Sequence, residues 1–208
     1  MKAGIIVAME KEKVMLEHTL DKNVPLVLSG IGKVNAALAT YEMISRYNPD
    51  CIISVGVSGS MREEIRQGDI IVGDRVAYHD VWCGEGTTMG QVHGMDRYFY
   101  PARNITEALG EKLDCHKGLL VCGDQFYISQ QEDRRILNLY PEALAADMES
   151  GAIAQTCTKL GVPFAVVRVV SDTHDDDKSQ EVSYADFWTS HQVAFDKITA
   201  ALVQIIKG

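Results

Sequence analysis

Basic residues are scarce in this chain of 208 residues. Lys and Arg number 20 against 29 Asp and Glu, a formal net charge of −9. Proteins that grip a phosphate backbone or an anionic membrane surface carry the opposite balance, so neither nucleic acid nor a membrane is an expected partner. Long apolar runs are missing too. No window approaches the roughly 18 to 20 apolar residues that cross a bilayer. The run Ala3 to Met9 gives way at once to Glu-Lys-Glu-Lys, too short for a secretory signal. A cytoplasmic, soluble protein is expected. Paired cysteines are absent as well: the five, at 51, 83, 115, 122 and 157, show neither zinc-knuckle nor redox-motif spacing. Cys51, Cys122 and Cys157 sit in apolar segments and read as small buried hydrophobes in a reducing compartment. His174-Asp175-Asp176-Asp177 is contiguous, which suits a solvated loop better than a metal site. No metal and no cofactor is expected.

What is present suffices for a core. Hydrophobic residues make up 46% of the chain and charged residues 24%, ordinary values for a globular fold. Ala3 to Ala8, "VPLVLSGIG", "DCIISVGVSGS", "HKGLLVCGDQF", "EALAAD" and "VPFAVVRVVSD" read as strands. Several are apolar at successive positions, the pattern of strands buried on both faces. "GDIIVGDRVAYHD" reads as a longer, partly exposed strand, and the glycine-rich stretch 83 to 99 as an ordered loop. Between them lie helical patterns. These are Glu10 to Leu20, "KVNAALATYEMISRY", "ITEALGEKL" with its start marked by Asn104 to Thr106, "QQEDRRILNLY" stopped by Pro141, "MESGAIAQTCTKLG" closed by Gly161, and "YADFWTSHQVAFDKITAALVQIIK". Strand and helix alternate without repeat or linker. The expectation is one α/β domain over residues 1–208, three αβα layers around a mixed, mostly parallel sheet.

In such sheets ligands bind beyond the carboxyl ends of strands. The residues there are Met9, Glu10 and Glu12; Ser29-Gly30-Ile31-Gly32; Gly56 to Ser60, which includes Gly59; Gly123 to Phe126 and Tyr127; Asp147-Met148-Glu149; and Ser171-Asp172. Acids, Met, aromatics and Gly collect at one rim, and only Lys11 and Lys33 bring positive charge near it. "SGIGKVNA" could cup an anion at a helix start, but it lacks the spacing of a Walker loop or a dinucleotide fingerprint. Glu12, Glu149 and Asp172 could converge on one small molecule. One carboxylate can accept hydrogen bonds from a ribose diol, another can activate water, and a third can protonate a leaving group. Met9 and Met148 would supply soft walls and Phe126 a stacking face. Together they suggest cleavage of a glycosidic bond to a heterocyclic base. Each acid alone has a plainer reading: Glu12 as part of a solvated "EKEK" helix face, Asp172 as a turn cap, Glu149 as a first-turn helix acid. His79 beside Asp80 reads as a structural histidine.

The pieces "GIIVAMEKE", "SGIGKVNAALA", "VGVSGS", "GDIIVGDRVAYHD", "GDQF", "ADMESGAIA" and "VRVVSD" resemble the 5′-methylthioadenosine/S-adenosylhomocysteine nucleosidases of the nucleoside phosphorylase superfamily. They run in the family's order from residue 4 to 172. The resemblance implies a nucleoside phosphorylase-like fold and hydrolysis of a 5′-modified purine nucleoside, methylthioadenosine or adenosylhomocysteine, to free adenine. It implies that Glu12 activates water, that Asp172 protonates the purine at N7, and that Met148 and Glu149 bind the ribose. Phe126 would stack on the base, with Tyr127 pairing through its backbone. Gly59 and Ser171 would lie near the substrate, and Met9 and Tyr184 near the 5′ substituent. A homodimer is implied. Departures include Asp147 where Glu is usual, Val57 where Ser is usual, and a shorter segment before "SGIGK". A phosphate-dependent nucleoside phosphorylase and a futalosine-type hydrolase remain alternatives.

Overall fold

The computed structural model describes residues 1–126, 130–173, 184, 187, 188 and 191–207. Among them are eight strands in one mixed sheet. They are β1 (Ala3–Val7), β2 (Leu26–Leu28), β3 (Cys51–Ser60), β4 (Ile70–Tyr78), β5 (Tyr98–Phe99), β6 (His116–Cys122), β7 (Ala143–Asp147) and β8 (Phe164–Asp172). Six helices accompany them: α1 (Glu10–Glu17), α2 (Lys33–Tyr47), α3 (Arg103–Lys112), α4 (Gln130–Leu139), α5 (Ser150–Leu160) and α6 (Gln192–Lys207).

Period-two alternation sorts the strand side chains into two cores. Ile5, Ile53 and Val167 pack with Leu16 of α1, Leu109 of α3 and Phe195 and Leu202 of α6. Their neighbours Ile6, Ile52 and Val166 point the other way, onto Ala36 and Met43 of α2 and Ile153 and Ala154 of α5. A third cluster joins Leu119 and Val121 to Ile136 of α4 and to Tyr140, which follows that helix. Continuous apolar strands are therefore buried on both faces, as their composition implied.

The sheet is less open than expected. β3 runs parallel to β1 and β8, β6 runs parallel to β4 and β7, and β8 meets β4 antiparallel. β7 then pairs antiparallel with β3 through Gly59–Ala146 and Ser60–Ala145. The pairings β3–β8–β4–β6–β7–β3 close a ring. Because β3 and β7 pair only near their carboxyl ends, two oppositely running sets of strands overlap there at one place. That overlap positions the site.

Several sequence boundaries shift. β4 is exposed only around Asp74 and Arg75, because it is flanked by β5, β6 and β8. The loop 83 to 99 ends in the two-residue strand β5. Helix α3 begins at Arg103, ahead of Asn104, after an extended Ala102 with no side-chain cap. Gly161 closes α5 in the left-handed conformation, φ 68°. Tyr127 and the His174 to Asp177 cluster lie outside the described residues. No helix among the described residues is long and apolar enough to cross a membrane.

Candidate active site

A pocket of about 740 Å³, its open mouth included, lies where the strand ends overlap. Met9, Glu12, Gly59, Phe126, Met148, Glu149, Ser171, Asp172 and Tyr184 all line it. Every residue to which the resemblance gave a site role is thus brought to one cavity, apart from Tyr127, which lies outside the described residues. Among the described lining residues there is no Lys and no Arg.

Glu12 is 2% exposed, although Glu10 and Lys11 just before it face water. The solvated-face reading of "EKEK" fails here because Glu12 is the third residue of α1 and folds back over the helix start. Its Oε2 accepts from the backbone N–H of Ala8 and Met9, at 2.8 and 2.9 Å. Its Oε1 accepts from Val57 N–H at 2.9 Å. Burial raises its pKa, and these three donors oppose the rise without cancelling it. The approach needs Gly56: a Cβ there would sit 2.7 Å from Oε1. Gly59 does the same for Asp172, whose Oδ2 would meet a Cβ at 2.8 Å. The glycines of "VGVSGS" therefore make room for two carboxylates.

Asp172 ends β8, buried, and accepts from the Ser171 hydroxyl at 2.6 Å. Burial raises its pKa and the hydroxyl partly offsets this. Glu149 precedes α5 yet does not cap it; its Oε1 reaches across to accept from Gly32 N–H at 2.8 Å. Burial, then the charge of Asp147, pushes it up to about 7. Capping falls to Asp147 instead. Its Oδ1 accepts from the Ser150 N–H at 3.0 Å and the Ser150 hydroxyl at 2.7 Å. That division of labour leaves Glu149 available to the pocket.

The turn "SGIGK" holds carboxylates of the protein itself. Gly32 N–H serves Glu149, and Lys33 N–H donates to Asp124 at 2.7 Å. The Lys33 ammonium donates to both oxygens of Asp80, at 2.9 and 2.8 Å. The turn thus ties the Glu149 end of the pocket to the segment that carries Phe126.

Two groups escaped the sequence reading. Arg168 sits fully buried beneath the pocket in the apolar run "AVVRVV". Its Nε donates to Asp147 Oδ2 at 2.8 Å, and its Nη2 to the Ser54 hydroxyl at 2.9 Å. Its charge lowers both Glu12 and Glu149. A lone Arg in an otherwise apolar strand was the available signal, since a buried cation demands a carboxylate partner. Arg168→Met is expected to cost about 3–5 kcal/mol, because it leaves Asp147 buried and unpaired. Calorimetry should show Tm falling by roughly 6–20 °C, and adding Asp147→Asn should restore part of the loss. The second group, Asp133, lines the pocket from the polar run Gln130 to Arg135 that opens α4. His79 is buried, with burial holding its pKa down at about 4, and it lies outside the pocket lining.

Comparison with known proteins agrees with this geometry. A family model described as the Phosphorylase superfamily matches residues 4–207. A 5′-methylthioadenosine/S-adenosylhomocysteine nucleosidase of Staphylococcus aureus is 35% identical, with 96% of this chain and 98% of the relative covered. Among solved structures, the nucleosidase of that name from Neisseria meningitidis, in complex with methylthio-immucillin-A, superposes with a TM-score of 0.90 at 32% identity. The match covers 98% of this chain and 99% of that one. The S-adenosylhomocysteine nucleosidase of Streptococcus pyogenes, in complex with 5-methylthiotubericidin, gives 0.88 at 29% identity over 98% and 96% of the chains. A futalosine hydrolase of Helicobacter pylori, at 23% identity and TM-score 0.87 over 97% of both chains, shares the fold. The chain belongs to the 5′-methylthioadenosine/S-adenosylhomocysteine nucleosidases of the phosphorylase superfamily.

Proposed function

We propose that this protein hydrolyses the N-glycosidic bond of methylthioadenosine, adenosylhomocysteine or both, giving adenine and the 5′-thio-substituted ribose. The carrying observation is the convergence of Glu12, Glu149 and Asp172 in one pocket walled by Met9, Met148, Phe126 and Tyr184. Glu149 accepts from the ribose 2′ and 3′ hydroxyls, and Met148 packs on the sugar. Phe126 stacks on the purine. Tyr184, whose hydroxyl lies 3.2 Å from the Met9 sulfur, closes an apolar end suited to a thioether.

Cleavage passes through a ribose with oxocarbenium character. Asp172, kept protonated by burial, gives its proton to purine N7, so the base leaves neutral. Glu12 takes a proton from water as the water oxygen bonds to C1′. The water's hydroxyl ends on the sugar at C1′ and its other proton on Glu12, and Asp172 is left ionised. The two acids exchange this proton difference with solvent before the next turnover. A raised pKa on each suits both tasks, since general acid–base groups work best near the ambient pH.

Water rather than phosphate fits the donors. The N–H groups of Ala8, Met9, Val57, Gly32 and Lys33 are engaged by carboxylates, and the Lys33 ammonium by Asp80. A phosphate would need such donors or a cation. The test is incubation with methylthioadenosine, adenosylhomocysteine, inosine and futalosine, with and without phosphate, following free base. Adenine released from the thio-nucleosides in phosphate-free buffer supports the proposal. Strict dependence on phosphate, or release from inosine or futalosine alone, contradicts it.

The working form is a homodimer in the cytoplasm. Val34, Leu38 and Tyr41 form an exposed apolar stripe on α2, and Ile31 at the pocket mouth and Trp82 are exposed as well. Apolar area of that kind beside a site is characteristic of an interface. Light scattering should give the mass of a dimer, and Leu38→Glu should give a monomer.

A further inference from the structure

Lys33 takes no part in the reaction above, yet its side chain is largely withdrawn from water, 23% exposed against 17% for Asp80. It opens α2, directly after Gly32, whose N–H serves Glu149. β4 and β6 run parallel with Tyr78 beside Cys122, so Asp80 and Asp124, each two residues further on, emerge side by side. Two carboxylates placed so repel each other unless a cation is shared between them. The Lys33 ammonium is that cation. It donates to both oxygens of Asp80, lies 3.8 Å from Asp124 Oδ2 and sits over the Tyr78 ring at 5.3 Å. Asp80 Oδ2 also accepts from the Asp124 N–H at 2.9 Å, and Asp124 Oδ1 accepts from the Lys33 N–H at 2.7 Å. The three residues thus close a ring of bonds. Burial disfavours ionised Asp80, but the Lys33 hydrogen bond, the Asp124 N–H and the Lys33 charge outweigh it and hold its pKa below the ordinary value. The backbone passes close by as well: a Cβ on Gly123 would sit 2.9 Å from the Asp80 carboxyl carbon. Phe126 follows two residues after Asp124, half exposed on the pocket wall.

We propose that Lys33 is a positioning residue for the base: through Asp80 and Asp124 it anchors the segment that carries Phe126, and so fixes where that ring meets the purine. This rests on reading Phe126 as the stacking ring and adenine as the leaving base. Lys33 bonds to Asp80 and Asp124 rather than to Glu12 or Asp172. Its loss therefore acts on the affinity for the base and spares the proton transfers. A neutral side chain at 33 leaves Asp80 and Asp124 facing each other without their cation, and the two loops part.

The test is equilibrium binding of adenine, with kcat and KM for methylthioadenosine, in wild type, Lys33→Met, Phe126→Ala and the double variant. Phe126→Ala should weaken adenine roughly tenfold or more, the worth of one lost aromatic stack. Lys33→Met should weaken it about 3–10-fold, with KM rising alike and kcat nearly unchanged. Added to Phe126→Ala, Lys33→Met should change adenine binding less than about twofold, because both act through one ring. Unchanged affinity in Lys33→Met, or an equal loss with and without Phe126, overturns the proposal whatever happens to Tm. If Lys33→Met does not fold, Asp124→Ala cuts the same ring of bonds at an exposed side chain and should give the same pattern. If wild type neither binds nor releases adenine, the reading of the base fails, and the anchoring is decided without ligand. Amide hydrogen exchange at Asp124 should then be faster in Lys33→Met than in wild type, while the β3 amides exchange alike. Unchanged exchange at Asp124 would overturn the anchor.

Discussion

Glu12→Gln is expected to lower kcat by about 10²–10⁴-fold, while substrate affinity stays within a few-fold of wild type. The affinity survives because Glu12 meets the attacking water rather than the nucleoside. The substitution also has a structural cost that follows from its contacts. Both oxygens of Glu12 accept from backbone N–H groups, Oε2 from Ala8 and Met9 and Oε1 from Val57. A glutamine must turn its NH2 toward one of these donor sets. Facing Val57 sacrifices one bond and facing Ala8 and Met9 sacrifices two, so the amide nitrogen should face Val57. One unsatisfied buried donor costs about 1–3 kcal/mol. Kinetics and calorimetry on the same sample separate the effects: a modest fall in Tm with a loss of turnover far beyond any unfolded fraction. Turnover equal to wild type, with substrate bound, would remove Glu12 as the base.

Asp172→Asn is the second large effect, with kcat for methylthioadenosine lower by about 10²–10⁴-fold. Asparagine keeps a carbonyl oxygen for the Ser171 hydroxyl, which now lies 2.6 Å from Oδ1. It can still hydrogen-bond the base but has no proton to give. The loss should therefore depend on the leaving group. A riboside of p-nitrophenol, which departs as a stable anion, should be cleaved by Asp172→Asn nearly as well as by wild type. An equal loss on both substrates would mean that Asp172 orients the ligand rather than protonating it.

The sequence carried the parts of the site that depend on local pattern. Apolar strands and the acids just beyond their ends were readable because a strand buried on both faces must be apolar and its ligand-facing residues follow it. Position alone explains why Glu149 and Asp172 were found, and why Met148 and Phe126 came with them. What could not be read depends on partners far away in the chain. The closure of β7 onto β3 rests on two residue pairs, and nothing in "ALAAD" announces it. Arg168 was passed over because six apolar neighbours outweigh one cation in any local average, and its partner Asp147 is 21 residues away. Asp133 was hidden for the opposite reason: a run of polar residues at a helix start gives no hint that one of its acids is turned inward. Glu12 was the closest case. "EKEK" alone reads as a solvated face, and only the return of the chain at β3, with Gly56 making room, turns its third residue into a buried acid.

The claim on which the rest depends is that the acceptor of the ribosyl group is water held by Glu12. Turnover of methylthioadenosine in H2(18)O, with phosphate present, tests it most directly by mass spectrometry of the sugar. One 18O atom at C1 of the thioribose and no sugar phosphate is the expected result. A thioribose 1-phosphate without the label would contradict the account.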